Sequence, residues 1–428
     1  MIAFTLILLL TLLALSVSVT AALGILSFSL AIFFTPIPLD RMLGDVAWQS
    51  MASETLVAIP FFVLLGEILV RSGVAERMYA ALVEWLSWLP GGTMHANIGA
   101  CALFAATSGS SVATAATIGT VSIPEIKRQG YGERLFLGSL AAGGTLGILI
   151  PPSIIFIIYG VLTETSIPRL YLAGMIPGVT LALLFMITIA GICLWRPAMG
   201  GKPHVTNWSR RISLLPDLVP PILIFAAVVL TIYIGIATPT EAAAFGVVAA
   251  LALAARVKRL NLSMLKEVTE GTMRTTAMVV AIILTSTILN FVLTFLGISK
   301  AITAFVIGLE ISPIGLMLIL IVFYLILGCF LEGMSIMLIT VPIIVPLVVA
   351  AGYDTIWFGV IMTLLLEAAL ITPPIGVNLF VVQSVRGRGP LVDVMIGAAP
   401  FVGTIFVMIL LLIAFPGLAL WLPNWVYQ

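Results

Sequence analysis

The sequence predicts an all-α polytopic membrane protein built as an inverted repeat, with two re-entrant helical hairpins and two unwound helices. Three observations lead there. Hydrophobic residues make up 61% of the 428-residue chain and charged residues only 9%, with a mean hydropathy of +1.26, whereas soluble chains carry about 25% charged residues. The apolar runs have the length of spanning helices, roughly 20 residues for about 30 Å of hydrocarbon, and lack the ten-residue alternation of membrane strands. Two polar, glycine-containing breaks in apolar runs are each followed by a double proline, Gly109 to Pro152 at 43 residues and Gly333 to Pro374 at 41. A net charge of +1 offers no global field for nucleic acid.

In chain order, residues 1–34 hold no charged side chain, so they lack the basic start of a secretory signal and read as retained membrane segments. Ser16, Ser18, Thr20 and Gly24 mark a break within them, which leaves either a broken span or a tight pair of short ones. Arg71 to Gly92, "RSGVAERMYAALVEWLSWLPGG", sets Arg and Glu on one helical side and Leu, Trp and Met on the other; it reads as a helix lying in the membrane interface. Met94 to Ile126 follows, with Ser108-Gly109-Ser110-Ser111 at its middle. Lipid offers no hydrogen bonds, so such a break survives only against protein or a wet cavity, and the stretch is predicted to be a hairpin with these residues at its tip.

Orientation comes from the basic loops. Lys127, Arg128 and Arg134 form one; Arg196, Lys202, Arg210 and Arg211 a second; Arg256, Lys258, Arg259 and Lys266 a third; Arg386 and Arg388 a fourth. By the positive-inside rule all four are cytoplasmic. Phe136 to Leu162 and Leu170 to Trp195 are then spans joined outside, and Leu214 to Ala255 supplies two more around Thr238 to Glu241.

The second half repeats the first. "LGCFLEGMSIMLITVPIIVP", Leu327 to Pro346, breaks at Glu332 to Ser335, and "GTLGILIPPSIIF", Gly144 to Phe156, is answered by "EAALITPPIGVNLF", Glu367 to Phe380. Each double proline removes backbone donors and clashes with the preceding turn, so both spans are unwound. After the first hairpin comes a basic loop, whereas after the second comes "AAGYDTIWFG" with one acid and no base. The halves are therefore inverted, the construction of secondary transporters. The expected division is residues 1–92 as scaffold helices and interfacial arm, 93–169 as first hairpin and unwound helix, 170–298 as scaffold helices, 299–312 as a second arm, 313–390 as second hairpin and unwound helix, and 391–428 as a C-terminal helix.

Freed carbonyls and hydroxyls suit Na⁺, and exposed helix N-termini suit a carboxylate. The first candidate Na⁺ site takes Ser108 and Ser110 with the carbonyls of Gly147, Ile150 and Pro152; the second takes Gly328, Ala369, Thr372 and Ile375. Ser111, Ser153, Glu332 and Asn378 are candidates for touching substrate. Alone, Ser-Gly-Ser in a membrane helix is close-packing glue; the mirrored breaks and paired prolines favour the ion reading. Glu332 either lines a path or caps the second hairpin arm. Glu125 and Glu133 are expected to be solvated. His95 and His204 have no partner at catalytic or metal-ligand spacing, and Cys101, Cys193 and Cys329 suit buried thiols rather than disulfides or a metal. Trp421 and Trp425 read as interface anchors.

"SGSSVATAATIG", "GGTLGILIPPSI", "LEGMSIMLITVPIIVP" and "TPPIGVNLF", in this order and spacing, resemble the large membrane subunit (M, DctM-like) of tripartite ATP-independent periplasmic (TRAP) transporters over nearly the whole chain. The resemblance implies an elevator-type carrier in the inner membrane, with a mobile transport domain sliding against a static scaffold in membrane lipid. It also implies coupling to two or more Na⁺ ions, uptake of an organic acid such as a C4-dicarboxylate or sialic acid, a small four-helix membrane subunit (Q) and a periplasmic substrate-binding protein (P). The chain begins directly with the large subunit, so Q is expected as a separate polypeptide. No P-loop occurs, as suits an ion-driven carrier. The alternatives are a stand-alone Na⁺/anion symporter or ion antiporter of the same architecture, and a membrane hydrolase, which the absence of a Gly-x-Ser-x-Gly elbow and of a His-Glu-x-x-His motif argues against.

Overall fold

The computed structural model describes residues 2–15, 17–35, 39–202 and 207–427. Among them, helices α1 (Ile2–Ala14) and α2 (Val19–Phe34) fold back as an antiparallel pair. Phe4, at the start of α1, meets Phe33 and Phe34, at the end of α2, edge-on at 6.0 and 5.2 Å. That decides between the two options for residues 1–34, although Ser16 itself lies outside the described residues. Helices α3 (Leu39–Met51), α4 (Ala58–Arg71) and α5 (Val74–Leu86) follow. The interfacial arm is thus shorter than the sequence suggested: Gly73, at φ 72°, separates it from α4, and Arg71 is the last residue of α4, paired with Glu67 one turn back.

The first hairpin is α6 (Thr93–Ser108) and α7 (Ser111–Gln129), and the first unwound helix is α8 (Glu133–Thr145), a short 3-10 turn and α9 (Ile154–Thr163). Then come α10 (Ile167–Trp195), α11 (Trp208–Tyr233), α12 (Pro239–Arg256), α13 (Leu262–Phe295) and the second arm, α14 (Ile298–Gly308). The second hairpin is α15 (Pro313–Gly328) and α16 (Gly333–Ala350), and the second unwound helix is α17 (Thr355–Ile371) and α18 (Val377–Arg386). The C-terminal segment is two helices rather than one, α19 (Leu391–Ala414) and α20 (Gly417–Val426), because Pro416 has no N–H to continue the ladder. Local chemistry sets the starts. Thr238 and Glu241 form a reciprocal capping box on α12, and Asp354 accepts from the N–H groups of Ile356 and Trp357 at 2.7 and 3.0 Å to open α17.

Among the described residues, α10, α11, α12, α13, α16 and α19 are long and apolar enough to cross a membrane. The two repeats interlock. The second arm of each hairpin lies on the second half of the other repeat's unwound helix, α7 on α18 and α16 on α9. Helices α2, α4, α12 and α13 pack mainly on one another, with α11 set between α12 and α5, whereas α10, grouped with them in the sequence reading, lies against α6, α17, α19 and α20. A close backbone approach joins α8 to α19. A Cβ at Gly138 would be driven into the Gly397 carbonyl, and one at Gly397 into the Arg134 carbonyl, so only two bare backbones fit there.

Contacts between loops place the basic clusters at one end of the molecule. Lys202 N–H donates to the Gln129 carbonyl at 2.8 Å and Gly132 N–H to Met199 at 3.0 Å, joining the first two loops. Glu133, expected to be solvated, instead bridges Arg386 at 3.1 Å and Arg388 at 2.8 Å, and Asp393 holds Arg134 and Arg386. Arg71 reaches Glu267 beside the third cluster at 3.4 Å. At the other end the Thr240 hydroxyl donates to the Glu54 carbonyl at 3.1 Å.

Two outcomes follow from this packing. Gly397→Ala should destabilise the protein by about 1–3 kcal/mol through overpacking, read as a lower melting temperature in detergent. Gly403→Ala on the same helix, where a Cβ meets nothing within 4 Å, should leave it unchanged. With the three native cysteines replaced, Asp354→Cys should react with an impermeant maleimide on intact spheroplasts and Arg388→Cys should not; equal labelling would overturn the inverted orientation.

Candidate functional site

The double prolines create the site by what they lack. In a helix the carbonyl of residue i accepts from the N–H of residue i+4. Four residues after Gly147 stands Pro151, and four after Ala369 stands Pro373, so both carbonyls lose their donor. Pro151-Pro152 and Pro373-Pro374 are both cis, and the two junctions correspond position by position: Gly147 to Ala369, Ile150 to Thr372. Among the described residues, the carbonyls of Gly147, Ile150, Pro152 and Ala369 accept no hydrogen bond. Three buried acceptors at the first junction and one at the second are thus left open, oxygens of the hard kind that suits a cation.

A hairpin tip rests on each junction. A Cβ at Gly147 would lie 3.1 Å from the Ser110 carbonyl oxygen and 3.2 Å from the Ser111 nitrogen, and one at Gly109, at φ +59°, would lie 3.3 Å from the Pro152 carbonyl. At the other junction a Cβ at Gly328 would lie 2.6 Å from the Ala369 Cβ, so the bare glycine lets the second tip close. Cys329 Sγ donates to the Pro373 carbonyl at 3.4 Å.

The proposed ligands fall accordingly. Ser110, Gly147, Ile150 and Pro152 come together at the first junction, and Gly328, Ala369 and Thr372 at the second; Ile375 is on the exposed side of the second strand. The Ser108 side chain lies outside the described residues. The Ser110 hydroxyl accepts from Ala113 N–H at 3.3 Å and the Thr372 hydroxyl donates to the Ala368 carbonyl at 2.6 Å, so each oxygen retains a lone pair.

Between the tips and the scaffold opens a cavity of about 410 Å³, lined by Ser110 and Ser111 of the first tip, Glu332 and Gly333 of the second, Glu67 of α4 and Thr275 of α13. Glu332 answers both sequence readings at once. It lines the cavity and caps α16, accepting from Met334 N–H at 3.1 Å, Ser335 N–H at 3.2 Å and the Ser335 hydroxyl at 3.2 Å. The N-terminus of α7 has no carboxylate; its cap is the neutral Ser110. Of the other candidate substrate contacts, Ser111 lines the cavity, while Ser153 and Asn378 are fully buried and outside its lining. The Ser153 hydroxyl donates to the Ile148 carbonyl at 2.5 Å, the other acceptor that the prolines orphan, and Asn378 Nδ2 donates to the Ala141 carbonyl at 3.2 Å.

Sequence reading passed over Glu367, which is fully buried in α17 with neither carboxylate oxygen partnered among the described residues. The signal was present: a lone acid in "LLLEAALITPP", costly in an apolar run unless it serves a site. His95 is buried, its Nε2 2.8 Å from the Pro90 carbonyl; His204 lies outside the described residues. Cys101 and Cys193 are buried free thiols and Cys329 is half-exposed, and no metal-binding group of His, Cys, Asp or Glu occurs among the described residues.

Residues 6–418 match the family model of the tripartite ATP-independent periplasmic transporter, DctM component. The chain is 37% identical to the C4-dicarboxylate TRAP transporter large permease protein DctM of Pseudomonas aeruginosa over 90% of both chains. It is 32% identical to the sialic acid TRAP transporter large permease protein SiaM of Vibrio cholerae over 90% of this chain and 88% of that one. The crystal structure of the Alcanivorax borkumensis YdaH transporter shares the fold, with a TM-score of 0.67 at 15% identity, over 99% of this chain and 98% of that one. This polytopic chain of the inner membrane thus belongs to the DctM family, the large membrane subunits of TRAP transporters.

Proposed function

We propose that the chain carries a small organic acid inward by Na⁺ symport, moving as an elevator and working with a small membrane subunit and a periplasmic binding protein. The observation that carries this reading is the pair of equivalent junctions, each with a proline-orphaned carbonyl under a hairpin tip, on either side of one cavity. Backbone oxygens there supply ion ligands. Na⁺, when bound, supplies positive charge next to the cavity. Ser111 and Val112 at the start of α7 line that cavity, and their N–H groups, without a partner within the helix, suit a carboxylate. The relatives named for C4-dicarboxylates and sialic acid support a carboxylate as the common feature. Sliding of one block keeps the unwound strands covered by their hairpins throughout, as lipid requires.

The ion assignment is tested in proteoliposomes with the cognate partners. Ser110→Ala and Thr372→Ala should each raise the Na⁺ concentration for half-maximal uptake, several-fold or more, and replacing Na⁺ by K⁺ should abolish uptake. Uptake indifferent to that replacement rejects the assignment.

The elevator is tested by disulfide trapping. Ser110→Cys should cross-link to Thr275→Cys on α13, across the cavity, and, in a second state favoured by substrate and Na⁺, to a cysteine two or more turns along the same helix. Pairing at a single depth under every condition argues for a rocking carrier.

A further inference from the structure

Asn378 is the second residue of α18, directly after the second unwound strand, yet it serves the first repeat. Its side chain is fully buried, its Nδ2 donates across to the Ala141 carbonyl of α8, and its Oδ1 has no partner among the described residues. Gly144, on the same face of α8, is the slot that admits it. A Cβ there would lie 3.1 Å from Asn378 Nδ2, 2.7 Å from the Ala115 Cβ and 3.2 Å from the Ser111 carbonyl oxygen. One turn further along, at Gly147, the Ser110–Ser111 peptide rests on the chain. An unbroken path of contacts therefore runs from the strand of Thr372 through Asn378 and α8 to the first tip. Buried amides normally fill both ends. Asn378 makes one such bond and leaves its acceptor open among the described residues.

We propose that Asn378 is a positioning residue that couples the two junctions, so that a cation held at one favours the closed tip, and hence binding, at the other. This rests on reading both junctions as Na⁺ sites. Asn378 touches neither ion nor substrate; it fixes α18 relative to α8, and with it the second strand relative to the first tip. Allosteric linkage of this kind is reciprocal.

The test uses purified protein in nanodiscs, with the native cysteines replaced and Val112→Cys as a reporter at the exposed start of α7. Na⁺ should slow maleimide labelling of the reporter with a Hill coefficient approaching about 2, the number of sites. Asn378→Leu, close in volume but without the amide, should bring the coefficient towards 1. Gly144→Ala, which presses on the same amide from α8, should do the same and serves if the first variant does not fold. In a second arm, Thr372→Ala should shift the Na⁺ midpoint at the distant reporter in the wild-type background and leave it unmoved beside Asn378→Leu. A purely structural role predicts a lower melting temperature without Na⁺ and an unchanged coefficient, and that result overturns the coupling. Absence of any Na⁺ effect on the parent reporter protein, with K⁺ as control, overturns the ion reading itself.

Discussion

The rest of the structure answers one constraint: a proline has no N–H, and inside a bilayer no water replaces it. Two consecutive prolines in a spanning helix leave two carbonyls without donors, and each costs about 1–3 kcal/mol if nothing else satisfies it. One of the four is met by a side chain, Ser153 reaching Ile148. The Gly147 and Ala369 carbonyls stay open, and over each the chain brings up a hairpin tip, with a bare glycine at the contact. Re-entrant hairpins are the covers that make unwound strands tolerable at membrane depth.

Each strand lies under the tip of its own repeat's hairpin, which alone would leave two independent units; the second hairpin arms cross over, α7 onto α18 and α16 onto α9, so each half also packs on the other. At the basic end, Glu133 and Asp393 tie the start of α8 to the end of α18 and the start of α19. Such groups are individually worth little when exposed, but the Arg386 side chain is only 4% exposed, and a buried guanidinium left with neither carboxylate is strongly unfavourable. The cluster therefore specifies one register between the halves more than it adds stability.

The hairpins, both tips, both unwound strands and their inversion were legible in the sequence, because prolines, glycines and charged loops act locally and punctuate apolar runs wherever they fall. What was not legible depended on distant parts of the chain. Asn378 looked like a substrate contact because it stands beside the second double proline; that it points into the first repeat follows only from α18 lying on α8. Ser153 looked available for the same reason, and is spent on a neighbouring carbonyl. Glu133 sits in a basic loop that reads as solvated until Arg386 and Arg388, over 250 positions later, close on it. Arg71 fits the arm in sequence because Arg and Glu share one helical side of Arg71 to Gly92, whereas the chain turns at Gly73.

The repeat is symmetric in backbone and not in charge. Glu332 fills the N-terminus of α16 with its own carboxylate, while α7 opens on a neutral serine. The two tips therefore present different charge to the cavity between them, and an architecture assembled from two equivalent halves acquires a polarity that its backbone alone does not have.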